Sequence, residues 1–159
     1  MKVEYINPFI DASVKVIESV LQKTPNRGEL SARPQVFTTQ QINVVCGVTG
    51  SIEGQVIYGM PVTVADKIAS TLLGTQVVTF DQLAASAIAE LGNMICGNSI
   101  TLLSERKFDC NITPPTIVRG SSVQVTTLGI PAIVVPFNIE DIGEFEVNVS
   151  LQEAKKKVA

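Results

Sequence analysis

The chain has 159 residues, 45% of them hydrophobic and 17% charged, with a formal net charge of −3 and no histidine. That length holds one domain with a real core. The acidic balance, with no long basic run, argues against nucleic acid as a partner. The lack of histidine removes Ser-His-Asp and Cys-His catalysis and most catalytic zinc sites. Cys46, Cys96 and Cys110 are odd in number and form no CxxC pair, which fits reduced core thiols better than a disulfide framework. No stretch reads as a signal peptide or a bilayer span, so a soluble, cytoplasmic protein with no membrane contact is expected.

In chain order, Asn7-Pro8 reads as a helix start, since Asn can cap and Pro suits the first helical position. Ile10, Val14, Ile17 and Leu21 then predict an amphipathic helix over 8–22, with Asp11, Lys15, Glu18 and Gln22 as its polar stripe. Residues 23–41, with Pro25, Gly28 and Pro34, read as a long connection holding a short extended piece near Gln35–Thr38. Ile42–Val48 and Gly54–Met60 predict a hairpin around the turn 50–54. A second helix is expected over 63–74, closed by Gly74.

The third and longest helix is expected over 80–105. Its centre, Ser86 to Asn98 (SAIAELGNMICGN), organises the reading of the whole chain. Ser86, Glu90, Asn93 and Gly97 are spaced four, three and four and share one helix face. Ala84, Ala87, Ile88, Leu91, Met94 and Ile95 are expected on the opposite, buried face. Gly92 and Gly97 each cost about 1 kcal/mol against Ala inside a helix. That cost is tolerated where a backbone approaches a neighbour closely or the helix bends.

Beyond it, Cys110–Thr113 is extended, and Pro114-Pro115 marks a sheet edge or turn. Strands are expected over 118–126 around SVQVT, over Ala132–Ile139, and over Glu144–Leu151 with one wet face. Glu140, Asp141, Glu144 and Glu146 then read as a solvated acidic face, and Lys155, Lys156 and Lys157 as a solvated helix end. The sum is an α+β domain over 1–159, with about six mostly antiparallel strands and two long helices on one face. The first helix repeats the spacing of the third, and each precedes a long loop and a hairpin, which suggests two pseudo-repeated halves. In the first copy Lys15 stands where Glu90 does, and Glu18 where Asn93 does.

A carboxamide is a poor general base, but it donates and accepts hydrogen bonds at once and can hold a water in line with an electrophile. The carboxylate one turn away can anchor a lysine or arginine across an interface. A pair on an exposed helix suits insertion into a partner's site, but on spacing alone an ordinary solvated helix face is the favoured reading. Asp81, Glu90 and Glu105 make no metal constellation at helical spacing, and neither a Walker loop nor GxGxxG is present.

The opening YINPFIDASVKVIESVL, and Ser86-x3-Glu90-x2-Asn93 with a distant Pro115, resemble the CheX branch of the CheC/CheX/FliY family of chemotaxis phosphatases. Gly97-Asn98 also resembles that helix. The resemblance implies a pseudo-symmetric CheC/CheX-like domain that keeps only the second of two sites. It implies hydrolysis of the aspartyl phosphate on a CheY-like response regulator, with Asn93 orienting water and Glu90 pairing with the regulator's lysine. Ser86, Gly97 and Asn98 would lie against that partner, and Pro115 would be structural. It further implies a homodimer with no cofactor of its own, the Mg²⁺ belonging to the regulator. A non-catalytic adaptor of the same fold, docking a regulator or a motility component, is the alternative.

Overall fold

The computed structural model describes residues 1–34, 36–127 and 129–155, with Thr38 by its backbone. Among the described residues three helices, α1 (Val3–Leu21), α2 (Val62–Leu73) and α3 (Gln82–Glu105), lie among ten strands. The strands are β1 (Asn26–Arg27), β2 (Ser31–Arg33), β3 (Val36–Thr38), β4 (Ile42–Gly50), β5 (Ile52–Met60), β6 (Cys110–Ile112), β7 (Thr116–Arg119), β8 (Gln124–Thr126), β9 (Ala132–Ile139) and β10 (Gly143–Glu153). Eight strands form one antiparallel sheet in the order β1-β9-β10-β5-β4-β6, with β2 also on β9 and β7 also on β4. β3 and β8 pair apart from it.

This order contains the expected pseudo-symmetry. Two hairpins, β4–β5 and β9–β10, meet through their inner strands, with Val149 opposite Val56. Of the short strands, β1 and β2 after α1 add to β9 of the other half, and β6 and β7 after α3 add to β4 of the first. Each half is therefore completed by the other, which ties both into one core.

That core lies between the helices and one face of the sheet. Phe9, Ala12, Val16 and Ile17 of α1 and Ile88, Leu91, Ile95 and Cys96 of α3 pack on Val44, Cys46, Val56, Tyr58, Val147 and Val149. On the sheet's other face, Phe37 of β3 and Val125 of β8 cover Ile57 and Ala132.

Several expectations are corrected. α1 begins at Val3, and Pro8 lies inside it rather than at its first position. Proline has no N–H to give to the carbonyl of residue 4. The freed Glu4 carbonyl accepts instead from Arg106 Nη1 at 3.3 Å, so the first turns of α1 are held by the end of α3. Tyr5 edging on Phe108 at 5.4 Å tightens the same junction.

The first hairpin closes at Val48 opposite Gly54. Beyond that rung its strands splay rather than turn freely, because Gly50 pairs with β6 and Glu53 with β10. The expected strand 118–126 is two strands: β7 ends at Arg119 on the main sheet, and β8 crosses to β3.

The polar side of β10 is not wet. Asn148 and Ser150 are 2% exposed and Glu146 9%, because the β3–β8 pair roofs this face and Arg33 reaches across it from β2. Arg33 of β2 donates to both Glu146 oxygens at 2.9 Å and to Asn148 Oδ1 at 2.8 Å. Glu140, Asp141 and Glu144 are exposed as expected. The short extended piece near residue 36 is β3, while Gln35 lies outside the described residues. Of the basic tail, Lys155 is exposed and Lys156 and Lys157 lie outside the described residues. No helix among the described residues is long and apolar enough to cross a membrane.

Candidate active site

Asp81 starts α3 with its Oδ1 accepting from Ala84 N at 2.9 Å, an N-cap that satisfies one orphan donor of the first turn. The helix then runs 24 residues without proline. Its buried stripe, Ala84, Ile88, Leu91, Ile95, Ser99 and Leu103, recurs at helical spacing against the sheet.

Two contacts fix how close the helix lies. Gly92 faces Val44, and a Cβ placed on residue 92 would stand 2.6 Å from Val44 Cγ1. Only glycine lets the backbone sit so near a stiff β-branched side chain. One turn on, Cys96 Sγ lies 3.0 Å from Tyr58 Oη of β5, and Tyr58 stacks on Phe145 at 6.1 Å. The adjacent Cys46 thiol and burial push the Cys96 thiol far up, and burial followed by Cys96 pushes Tyr58 up. Both stay protonated and act as packing and hydrogen-bonding groups. All three cysteines are buried and unbridged.

The outer face carries the expected residues. Ser86, Glu90 and Gly97 are exposed, and Asn93 is half-buried beside them. Among the described residues, neither the Glu90 carboxylate nor the Asn93 amide takes a hydrogen bond or ion pair. A Cβ on Gly97 would meet nothing within 4 Å, so it leaves a shallow gap open to the outside. Asn98 is half-buried, and its Nδ2 donates to the Met94 carbonyl at 2.8 Å, which folds the side chain along its own helix.

Met94, expected in the core, is 36% exposed. It stands four residues after Glu90 and thus one turn along the same outer face. Its place under the helix is taken by Gly92 and Cys96, both of which the apolar periodicity left out.

The structure therefore brings Ser86, Glu90, Asn93 and Gly97 together on one convex strip. Pro115 lies between β6 and β7, where it ends one pairing with β4 and lets the next begin at Thr116. Its role is to shape the strand edge beneath α3.

The matching face of α1 carries Asp11, Lys15 and Glu18, all exposed. Gln22 is past the helix end, in a left-handed conformation as its cap. Among the described residues, no group of three or more Cys, Asp or Glu side chains is placed to hold a metal ion.

A pseudo-symmetric α+β sheet of this order, with helices on one face, is the CheC-like architecture. The family described as chemotaxis phosphatase CheX matches residues 42–138, from β4 to β9 and through all of α3. The chain is 30% identical over 153 residues to the CheY-P phosphatase CheX of Thermotoga maritima, covering 96% of this chain and 98% of that one. Among solved structures, the CheX–CheY–BeF3–Mg²⁺ complex from Borrelia burgdorferi aligns with a TM-score of 0.82 and 30% identity, covering 96% of this chain and 100% of that one. Chemotaxis protein CheX of Desulfovibrio desulfuricans shares the fold with a TM-score of 0.83 at 23% identity, over 96% and 100% of the two chains. The chain belongs to the CheX family of chemotaxis phosphatases, and it is a phosphatase.

Proposed function

We propose that this chain, over 1–159 as one CheX-like domain, removes the phosphoryl group from the aspartate of a CheY-like response regulator. The observation that carries the reading is the Glu90–Asn93 pair, free of partners among the described residues, on a helix pinned by Gly92 and Cys96. The relatives named CheY-P phosphatase and CheX–CheY complex support the substrate class.

In this mechanism α3 lies across the regulator's phosphorylated site. Asn93 accepts from and donates to one water and aligns it with phosphorus, so that a water–phosphorus bond forms as the bond to the aspartate oxygen breaks. Placement of this kind is most of what phosphoryl transfer asks of a protein. Glu90 pairs with a lysine of the regulator and fixes the approach. Ser86, Gly97 and Asn98 border the contact, and the open gap at Gly97 lets the partner's backbone come close. The chain needs no metal of its own in this scheme; the Mg²⁺ in the Borrelia complex supports a cation carried by the regulator. The setting is cytoplasmic and the working form a homodimer, in keeping with a mean hydropathy of +0.31.

The test follows the decay of a phosphorylated CheY-like regulator with wild type and with Asn93→Ala. Loss of a transition-state positioning group lowers kcat by roughly 10²–10³, while binding to the regulator persists. Equal decay with the two proteins would overturn the mechanism.

A further inference from the structure

α3 is almost uncharged. From Gln82 to Ser104, Glu90 is the single charged residue, so ion pairs cannot supply most of the affinity of this face. Apolar side chains flank it instead. Leu83 is 60% exposed, Met94 36%, and Val78, in the loop entering the helix, 83%.

Leu83 lies three residues before Ser86 and seven before Glu90, on the same stripe and roughly 10 Å along the axis from Glu90 at 1.5 Å per residue. A first helical turn favours acidic or small polar side chains, and Leu83 does nothing for the cap, which Asp81 already makes. With Leu73, Val77 and Val78 it lines a shallow groove of about 270 Å³ between the end of α2 and the start of α3. Single exposed apolar residues are ordinary, whereas a cluster beside a working face marks an interface.

Resting on the function proposed above, we propose that Val78 and Leu83 form the apolar anchor that recognises the response regulator, the groove taking an aliphatic side chain of the regulator's surface beside its phosphoaspartate. Met94 closes the contact on the far side of Glu90. Leu83 shares the stripe of Ser86 and Glu90, so a partner lying along the strip from Asn93 toward the start of α3 meets Leu83 as well. A second copy of this chain seated there would bury Glu90 and Asn93 and block the reaction. Buried apolar anchors ringed by polar contacts are the usual source of interface affinity.

The experiment measures the affinity of the full chain for a CheY-like regulator loaded with beryllofluoride and Mg²⁺, alongside dephosphorylation of the phosphorylated form. Val78→Ser and Leu83→Ser together weaken binding about tenfold or more, equivalent to about 1.4 kcal/mol, and raise KM more than they lower kcat. Leu83→Met retains affinity, and Leu30→Ser, at a distant exposed apolar residue, changes nothing. Unfolding midpoints within about 1 °C of wild type, below the roughly 2–4 °C that a modest loss of stability brings to a chain of this size, separate lost docking from lost folding. Unchanged affinity in the double serine variant overturns the anchor and leaves the phosphatase reading standing. A wild type that binds with Leu83-dependent affinity but does not speed dephosphorylation supports the anchor and overturns the phosphatase reading. A wild type that does neither overturns both.

Discussion

α1 and α3 are the same helix put to two uses. Both pack on one face of the sheet across the pseudo-twofold and cover it with apolar stripes of similar size. They part company outward. α1 shows Asp11, Lys15 and Glu18, while α3 shows Ser86, Glu90 and Asn93 with one charge in the strip. They also differ underneath. Set against each other by their polar stripes, Ile17 of α1 stands where Gly92 stands in α3. Ile17 fills its place as a fully buried side chain, whereas Gly92 removes one and brings α3 down onto Val44. The fold needs only the inward stripes. The outward ones are free to diverge, and height above the sheet is a second variable that the site uses.

The sharpest way to break this comparison is to truncate the matched side chains on the two helices. Asn93→Ala lowers the dephosphorylation rate roughly 10²–10³-fold, and Glu90→Ala weakens binding and turnover together. Lys15→Ala with Glu18→Ala leaves both within about twofold, the scatter expected of surface changes. Parallel progress curves with one phosphorylated regulator compare the three variants with wild type. A large loss from the α1 pair would mean that the first site is alive.

Next in size is Arg33→Ala. It leaves Glu146 buried without its cation and costs about 2–3 kcal/mol of stability, read as a lower urea midpoint. Because Arg33 sits on the roofed face of the sheet, away from both helices, the rate constant of the remaining folded protein is unchanged. A change in that constant would show that the two faces communicate.

Gly92→Ala tests the height of α3. The helix gains about 1 kcal/mol of propensity, and overpacking against Val44 costs about 1–3 kcal/mol. Stability therefore moves by only about 1 kcal/mol, while Asn93, the next residue, is displaced. Turnover falls more than stability does, and adding Val44→Ala restores part of it. The matched change Ile17→Ala in α1 opens a cavity, costs about 2–5 kcal/mol and spares the chemistry.

The smallest effect belongs to α2, the helix without a twin. Burial raises the Asp66 carboxyl above its ordinary range, and its Oδ1 is buried with no partner among the described residues. A folded pKa above the unfolded one means that the penalty is present in full above the folded pKa and fades as pH falls toward the unfolded one. Asp66→Asn thus raises the unfolding midpoint slightly at neutral pH, and the gain vanishes at acid pH. A gain that grew on acidification would reverse the assignment.

The strip on α3 was legible because spacing alone puts Ser86, Glu90, Asn93 and Gly97 on one face, and no histidine competed for the chemistry. Met94 is apolar and so resembles a core residue, but its angle on the helix, four residues after Glu90, puts it on the outer face. Pro8 misled for a related reason: a proline inside a helix is tolerated only when something distant takes up the lost carbonyl, and Arg106 is 98 residues away. Glu146, Asn148 and Ser150 alternate as a wet face should; that short strands from both halves roof them is a fact of topology rather than of pattern. The Leu83 anchor had a local signal, an apolar residue in a first turn, that carries meaning only once its exposure is known.

The convexity of the strip has a pharmacological consequence. Enzymes that enclose their substrate can be jammed by a small imitation of it. Here the groups that matter stand proud on a rod, and the cavity of about 380 Å³ lined by Arg27, Gln40 and Glu144 opens elsewhere, beside β9 and β10. Free phosphate and its analogues find little to grip on this chain and are expected to inhibit it poorly. An effective competitor is a decoy of the regulator's surface, broad enough to lie along three turns of helix and carrying an aliphatic side chain at one end for the groove beside Leu83.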